Sequence, residues 1–154
     1  MSTPHQLTLT RIINVPAHKV WAAWTVPEQV CVWFCPKPWF VSECEIDLKP
    51  GGIFRTVMNG PDGERFDSSG CYLEVTPNKR LVWTDALQPG YAPSEKPWFT
   101  GIIELEDLGN GQTRYTARAL HATAQTCEDH AKMGFHDGWG KALDQLVEIV
   151  LASQ

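Results

Sequence analysis

Two histidines are the residues best able to do chemistry in this chain. His121 is in phase with Tyr115, Ala117 and Ala119, which puts it on the inner face of a strand, at its end. His130 lies one helical turn before Gly134, on the face shared with Gly138. Imidazole changes charge near neutral pH, so two of them at a cavity mouth could bind a polar head group or act as acid and base. The plainer reading is a hydrogen-bonded structural pair. Asp85, at the end of a strand whose inward phase the pattern leaves open, is the carboxylate that could orient either ring. His136 and Asp137 point to different sides of their helix, and Glu128, Asp129 and His18 are expected to face solvent.

The thiols suggest less. Cys31 and Cys35 are four residues apart, which places both on one side of a short helix, with His121 or His130 as conceivable third and fourth ligands. That spacing is not a zinc-knuckle pattern, and Pro36 follows directly, so no metal is expected. Cys127 opens the last helix, where the dipole lowers a thiol pKa, yet an inert buried thiol is the simpler expectation. There is no Gly-x-Ser-x-Gly elbow. The glycines at 51–52 and 109–111 make turns rather than phosphate loops, because neither pair precedes a helix. No cofactor and no catalytic residue is assigned.

The elements that must position these groups follow from periodicity. Residues 6–14 alternate, with Leu7, Leu9, Arg11 and Ile13 on one face, and predict a strand. Pro16 and Pro27 open two short helices, over 17–24 and up to Phe34, the second stopped by Pro36 and Pro38. From Trp39 the period becomes two. Strands are expected over 43–48, 53–58, 71–75, 81–84, 99–105 and 113–121, divided by the turns Pro50-Gly51-Gly52, Gly60-Pro61-Asp62-Gly63, Pro77-Asn78 and Gly109-Asn110-Gly111. Residues 88–97, with three prolines and one glycine, predict a long loop. One long helix is expected over 127–151, striped by Trp139, Ala142, Leu143, Leu146, Ile149 and Val150.

This order is α+β: a curved antiparallel sheet gripping a long C-terminal helix, with two short helices after the first strand. Such a sheet tends to enclose a cavity, and Gly134 and Gly138 on one helix face suggest either a close approach by another group or a volume left open. Trp33, Phe34, Phe54, Met58, Phe99, Ile103, Tyr115 and Met133 are the candidate walls.

Composition narrows the function classes. The 154 residues fit a single domain over 1–154. A hydrophobic content of 43% excludes a disordered chain, and a net charge of −5 has the wrong sign for non-specific nucleic-acid binding. No apolar run is long enough to span a membrane. The first residues carry neither a basic nor an apolar leader pattern, and the five cysteines make an odd count, so reduced thiols in a cytoplasm are expected. Seven Trp, six Phe and three Tyr are many rings for such a chain, and rings favour pockets as well as cores.

The stretches 13–21, 47–54, 70–75 and 80–85, with Gly138-Trp139 followed by Leu143 and Leu146, resemble the START-like (SRPBCC) helix-grip superfamily. More narrowly they resemble the bacterial branch related to the C-terminal domain of the activator of heat-shock-protein-90 ATPase, over about residues 7–150. The resemblance implies a helix-grip fold. It says less of function, because this fold hosts lipid carriers, hormone receptors, cyclases and chaperone activators. The eukaryotic activator also carries a separate chaperone-binding domain for which this chain has no room, so a chaperone partner is not carried over. The leading expectation is a protein that binds an apolar or aromatic small molecule through the walls above together with His121, His130, Gly134 and Gly138. The alternatives are a cyclase- or hydrolase-type enzyme using the same cavity, and an interaction module, with self-association through the 88–99 loop left open.

Overall fold

The computed structural model describes residues 5–153. Strand β1 (His5–Ile13) leads into α1 (Ala17–Thr25) and α2 (Pro27–Trp33). The meander follows: β2 (Phe40–Ile46), β3 (Ile53–Asn59), β4 (Arg65–Thr76) and β5 (Arg80–Thr84). A minor hairpin, β6 (Leu87–Gln88) and β7 (Ala92–Pro93), lies inside the expected 88–97 loop. Strands β8 (Thr100–Gly109) and β9 (Gln112–His121) then precede α3 (Ala124–Lys132) and α4 (Phe135–Ala152).

The seven long strands form one antiparallel sheet in the order β1-β9-β8-β5-β4-β3-β2. Alternation decides which face is covered: Tyr115, Ala117, Ala119 and His121 are buried, and Arg114 and Arg118 on the other parity are not. The register shifts between Tyr72 and Glu74 and between Val41 and Glu43. Such bulges bend a strand and raise its twist, which helps the sheet curl around its contents. The core lies between the covered face and the helices, with Leu143, Leu146 and Val150 of α4 against Ile13, Leu105 and Tyr115 in one cluster.

Two cross-links set the helices on the sheet. Arg11, on the inner parity of β1, reaches α4 and pairs with Asp144 at 2.6 Å. Gln145 of α4 donates from Nε2 to the carbonyls of Trp33 and Cys35 at 3.0 and 2.9 Å, holding the end of α2. Among the described residues no helix is long and apolar enough to cross a membrane.

The helix expected over 127–151 is two helices. Gly134 stands at φ +96° between α3 and α4, a left-handed conformation in which a β-carbon is strained. Thr123 caps α3, its side chain accepting from Thr126 N–H at 3.1 Å. Gly134 and Gly138 both face open space or an ordinary contact, and Gly134 has a backbone role besides. Gly134 serves the break, and a β-carbon on Gly138 would meet only Pro36 Cγ, at 3.9 Å. Gly140 is the helix glycine under close approach, because the Arg11 guanidinium would lie 2.7 Å from a β-carbon there.

Candidate functional site

The candidate walls fall into two groups. The first lies over β3–β5 and α1–α2. Trp33 and Phe34 meet Trp24 edge-on, Phe34 meets Phe54 at 5.9 Å, and Phe54 stacks on Tyr72 at 5.3 Å. Trp83 closes the group against Trp24 and Phe54. Its ring lies across Gly101 on the neighbouring strand, where a β-carbon would come within 2.3 Å of it. Polar handles are mostly satisfied: Trp24 Nε1 donates to Tyr115 Oη at 3.1 Å, and Trp33 Nε1 to the Ala23 carbonyl at 2.8 Å. Ile103 is buried in the same core, and Met58 is half-buried on β3 opposite Val41 and Phe66. Rings therefore fill the space expected to be open on this side.

One atom there stands out. Tyr72 is 0% exposed, and its hydroxyl has no hydrogen-bond partner among the described residues. Burial, with Cys44 nearby, pushes its pKa up, so it stays a neutral phenol. Burial also raises Cys44 to about 12 and Cys35 to about 11, which makes both poor nucleophiles at neutral pH. All five cysteines are free thiols. Among the described residues no cluster of His, Cys, Asp and Glu is arranged to hold a metal ion.

The second group joins β8, β9, α3 and α4, and it holds both histidines. His121 and His130 are 6% and 7% exposed, and His121 Nε2 lies 2.9 Å from His130 Nδ1. Strand β9 delivers His121 on its inward parity, and the break at Gly134 lets α3 fold back to bring His130 against it. Around His130 stand Trp98 and Phe99 with ring centres at 5.0 Å, Phe135 at 5.3 Å and Trp139 at 6.2 Å.

The direction of the hydrogen bonds follows from one fixed acceptor. His121 Nδ1 lies 3.3 Å from the His5 carbonyl, which can only accept, so Nδ1 carries the proton. A neutral His121 then has a bare Nε2, and His130 Nδ1–H donates into it. That leaves a lone pair on His130 Nε2 that makes no hydrogen bond to the described residues. The atom is not among the fully buried ones left without a partner, so it lies at the edge of the pair toward solvent. Both rings stay neutral at pH 7. Burial lowers the pKa of each, and for His130 burial together with His121 brings it to about 4.

Asp85 is not on either imidazole. Its carboxylate accepts the backbone N–H groups of Trp98, at 2.8 and 2.9 Å, and Phe99, at 3.2 Å. It thereby fixes the segment that supplies two of the rings. Burial raises its pKa while those N–H bonds pull the other way.

Of the predicted residues, Phe99, His121 and His130 are brought together, with Gly134 as the hinge and Gly138 outside the ring contacts. Met133 departs from the expectation: it is 75% exposed and is no interior wall, because it caps α3 one residue before the break. Trp98, Phe135 and Trp139 were not among the predicted walls. Trp139 was readable as part of the apolar stripe, whereas Trp98 sits in a Pro-rich loop whose anchoring by Asp85 has no sequence period. Two surface depressions of about 560 and 520 Å³ lie elsewhere, beside Tyr91 and beside the Pro77-Asn78 turn.

The fold recurs among solved structures. A protein from Nitrosomonas europaea is 45% identical, with a TM-score of 0.94 over 99% of this chain and 98% of that one. A Rhodobacter sphaeroides protein is similar at 21% identity and a TM-score of 0.82, covering 97% of this chain and 94% of its own. One from Mycobacterium smegmatis, at 23% and 0.79, covers 96% and 91%. The last two speak to fold alone. No curated protein shows significant sequence similarity. Residues 14–150 match the family model described as activator of Hsp90 ATPase homolog 1-like protein, so the chain belongs to that family.

Proposed function

We propose that this protein binds a small apolar or aromatic molecule between the β8–β9 side of the sheet and the α3–α4 pair. One observation carries the reading: a buried, neutral histidine pair is enclosed by Trp98, Phe99, Phe135 and Trp139, with one ring nitrogen left without a partner among the described residues. Apolar walls around a few convergent polar groups are the usual make-up of a ligand site. Trp98 and Trp139 are only half-buried, so one edge of the group reaches the surface. Binding is favoured over catalysis because Asp85, the carboxylate that could have oriented an imidazole as a base, is engaged by backbone N–H groups instead.

The test is a titration of the native protein with Nile red, a neutral apolar dye. One saturable site is expected, and Trp98→Ala and Trp139→Ala should each weaken it while leaving the far-ultraviolet circular dichroism unchanged. Dye binding that does not saturate, or that ignores both substitutions in folded protein, would sink the reading.

A further inference from the structure

The orientation of the histidine relay narrows the chemistry of the ligand. We infer that the His121–His130 site selects a neutral hydroxyl donor carried on an apolar ring framework, which it reads through the lone pair on His130 Nε2. The inference rests on the binding site proposed above and adds the polar half of its specificity.

The polarity of the chain of hydrogen bonds is set from its far end. The His5 carbonyl accepts from His121 Nδ1 at 3.3 Å, and His121 Nε2 accepts from His130 Nδ1 at 2.9 Å. Reversing the chain would place a proton on neither side of the His5–His121 contact, leaving a carbonyl facing a lone pair. Each ring is therefore held in its Nδ1–H tautomer, and the exposed end of the relay is an acceptor. A carbonyl, ether or carboxylate oxygen brings only another lone pair and gains nothing there. A cationic donor would lose its hydration among Trp98, Phe99, Phe135 and Trp139 without a carboxylate to replace it, since Asp85 is held by Trp98 and Phe99 N–H. A hydroxyl group suits the site: it donates one bond, is cheap to desolvate, and leaves its carbon framework to the rings.

The relay also makes the lone pair a better acceptor than an isolated imidazole would provide. Each Nδ1–H donation pushes electron density toward the far nitrogen, as hydrogen bonds in a chain polarise one another. His121 is thus a positioning residue, since it sets the tautomer of His130 without needing to touch the ligand.

The experiment compares three probes of one shape: 2-naphthol, which donates, 2-methoxynaphthalene, which only accepts, and naphthalene, which does neither. Each displaces Nile red from the native protein at pH 7, with the histidine ring nitrogens followed by ¹⁵N NMR. Expected are roughly tenfold tighter binding of 2-naphthol than of the other two, the scale of one hydrogen bond, and a shift of one bare histidine nitrogen on adding 2-naphthol alone. In His130→Phe the three probes should bind alike. His121→Gln should reduce the preference for 2-naphthol without abolishing binding of naphthalene. If the dye is displaced equally by all three probes from wild-type protein, the donor inference falls while the binding site stands. If neither dye nor probe binds saturably, both fall together. A free protein whose bare histidine nitrogen spectrum shows Nε2–H tautomers overturns the inference directly.

Discussion

Asp85 and Trp98 are tied at a separation of 13 residues, with both carboxylate oxygens of Asp85 within 2.9 Å of the Trp98 amide nitrogen. A strand end thereby clamps the far end of a Pro-rich loop, and the Trp98 and Phe99 rings beyond the clamp cover the histidine pair. Asp85→Ala removes the acceptor from two partly buried N–H groups at once. A loss of about 1–3 kcal/mol in unfolding free energy is expected. Nile red affinity should fall in the same variant although no ring has been altered. A variant with wild-type dye affinity would show that the loop is held by its packing alone.

Gly134 and Gly138 should respond in opposite directions to alanine. Gly134 has φ +96°, so Gly134→Ala is strained whatever the space around it, and should cost about 1–2 kcal/mol. Gly138 lies inside α4 with only Pro36 Cγ at 3.9 Å from a new β-carbon, so Gly138→Ala should stabilise by up to about 1 kcal/mol through helix propensity. Urea unfolding of the two variants checks both signs.

The histidine pair makes stability depend on pH in a stated window. His130 titrates near 6.5 when unfolded and near 4 when folded, so between those values the unfolded chain binds more protons. Stability therefore falls as pH drops from about 6.5 toward 4, by up to about 3 kcal/mol, and levels off below that. The groups facing the pair are few. His5 disfavours charge on His121, and Asp85, beyond Trp98 and Phe99, has a raised pKa that acts with the opposite sign at lower pH. A urea midpoint that is flat from pH 7 to pH 5 in wild type would refute this. His130→Gln should flatten the wild-type slope.

Tyr72→Phe isolates the orphaned hydroxyl. Its oxygen is buried without a partner, so removing it should be neutral or stabilise the fold by about 1 kcal/mol, with Phe54 still stacked on the ring. A clear loss of thermal stability would mean that an ordered molecule satisfies that hydroxyl in solution.

Much of the framework was legible because period-two alternation survives in single residues. Leu7, Leu9, Arg11 and Ile13 share a face of β1, and His121 keeps the inward phase of Tyr115, Ala117 and Ala119. The helix break was misread because Gly134 acts through its backbone angle, whereas the spacing of Gly134 and Gly138 looks the same in one helix or two. The ring box was half legible. Phe99 and the histidines have strand and helix phases that point inward, but Trp98 is placed by a carboxylate 13 residues away and Phe135 by the turn that restarts the helix. Contacts of that kind follow no local period.

The pairing of β1 with β9 has a consequence for how the molecule is made. His5 and His121 are partners across the register, 116 residues apart, and among the described residues β1 stands at the sheet edge with β9 as its neighbour. Closing so long a span is entropically costly and slow, which favours folding from the local β2–β5 and β8–β9 hairpins first. On a ribosome, β1 would wait with Leu7, Leu9 and Ile13 unprotected until β9 had emerged. A nascent chain stalled before β9 should therefore expose β1 to proteases and chaperones. Release of the next few dozen residues would both seal that strand and orient the His121 ring, so assembly of the sheet and maturation of the binding site end in the same event.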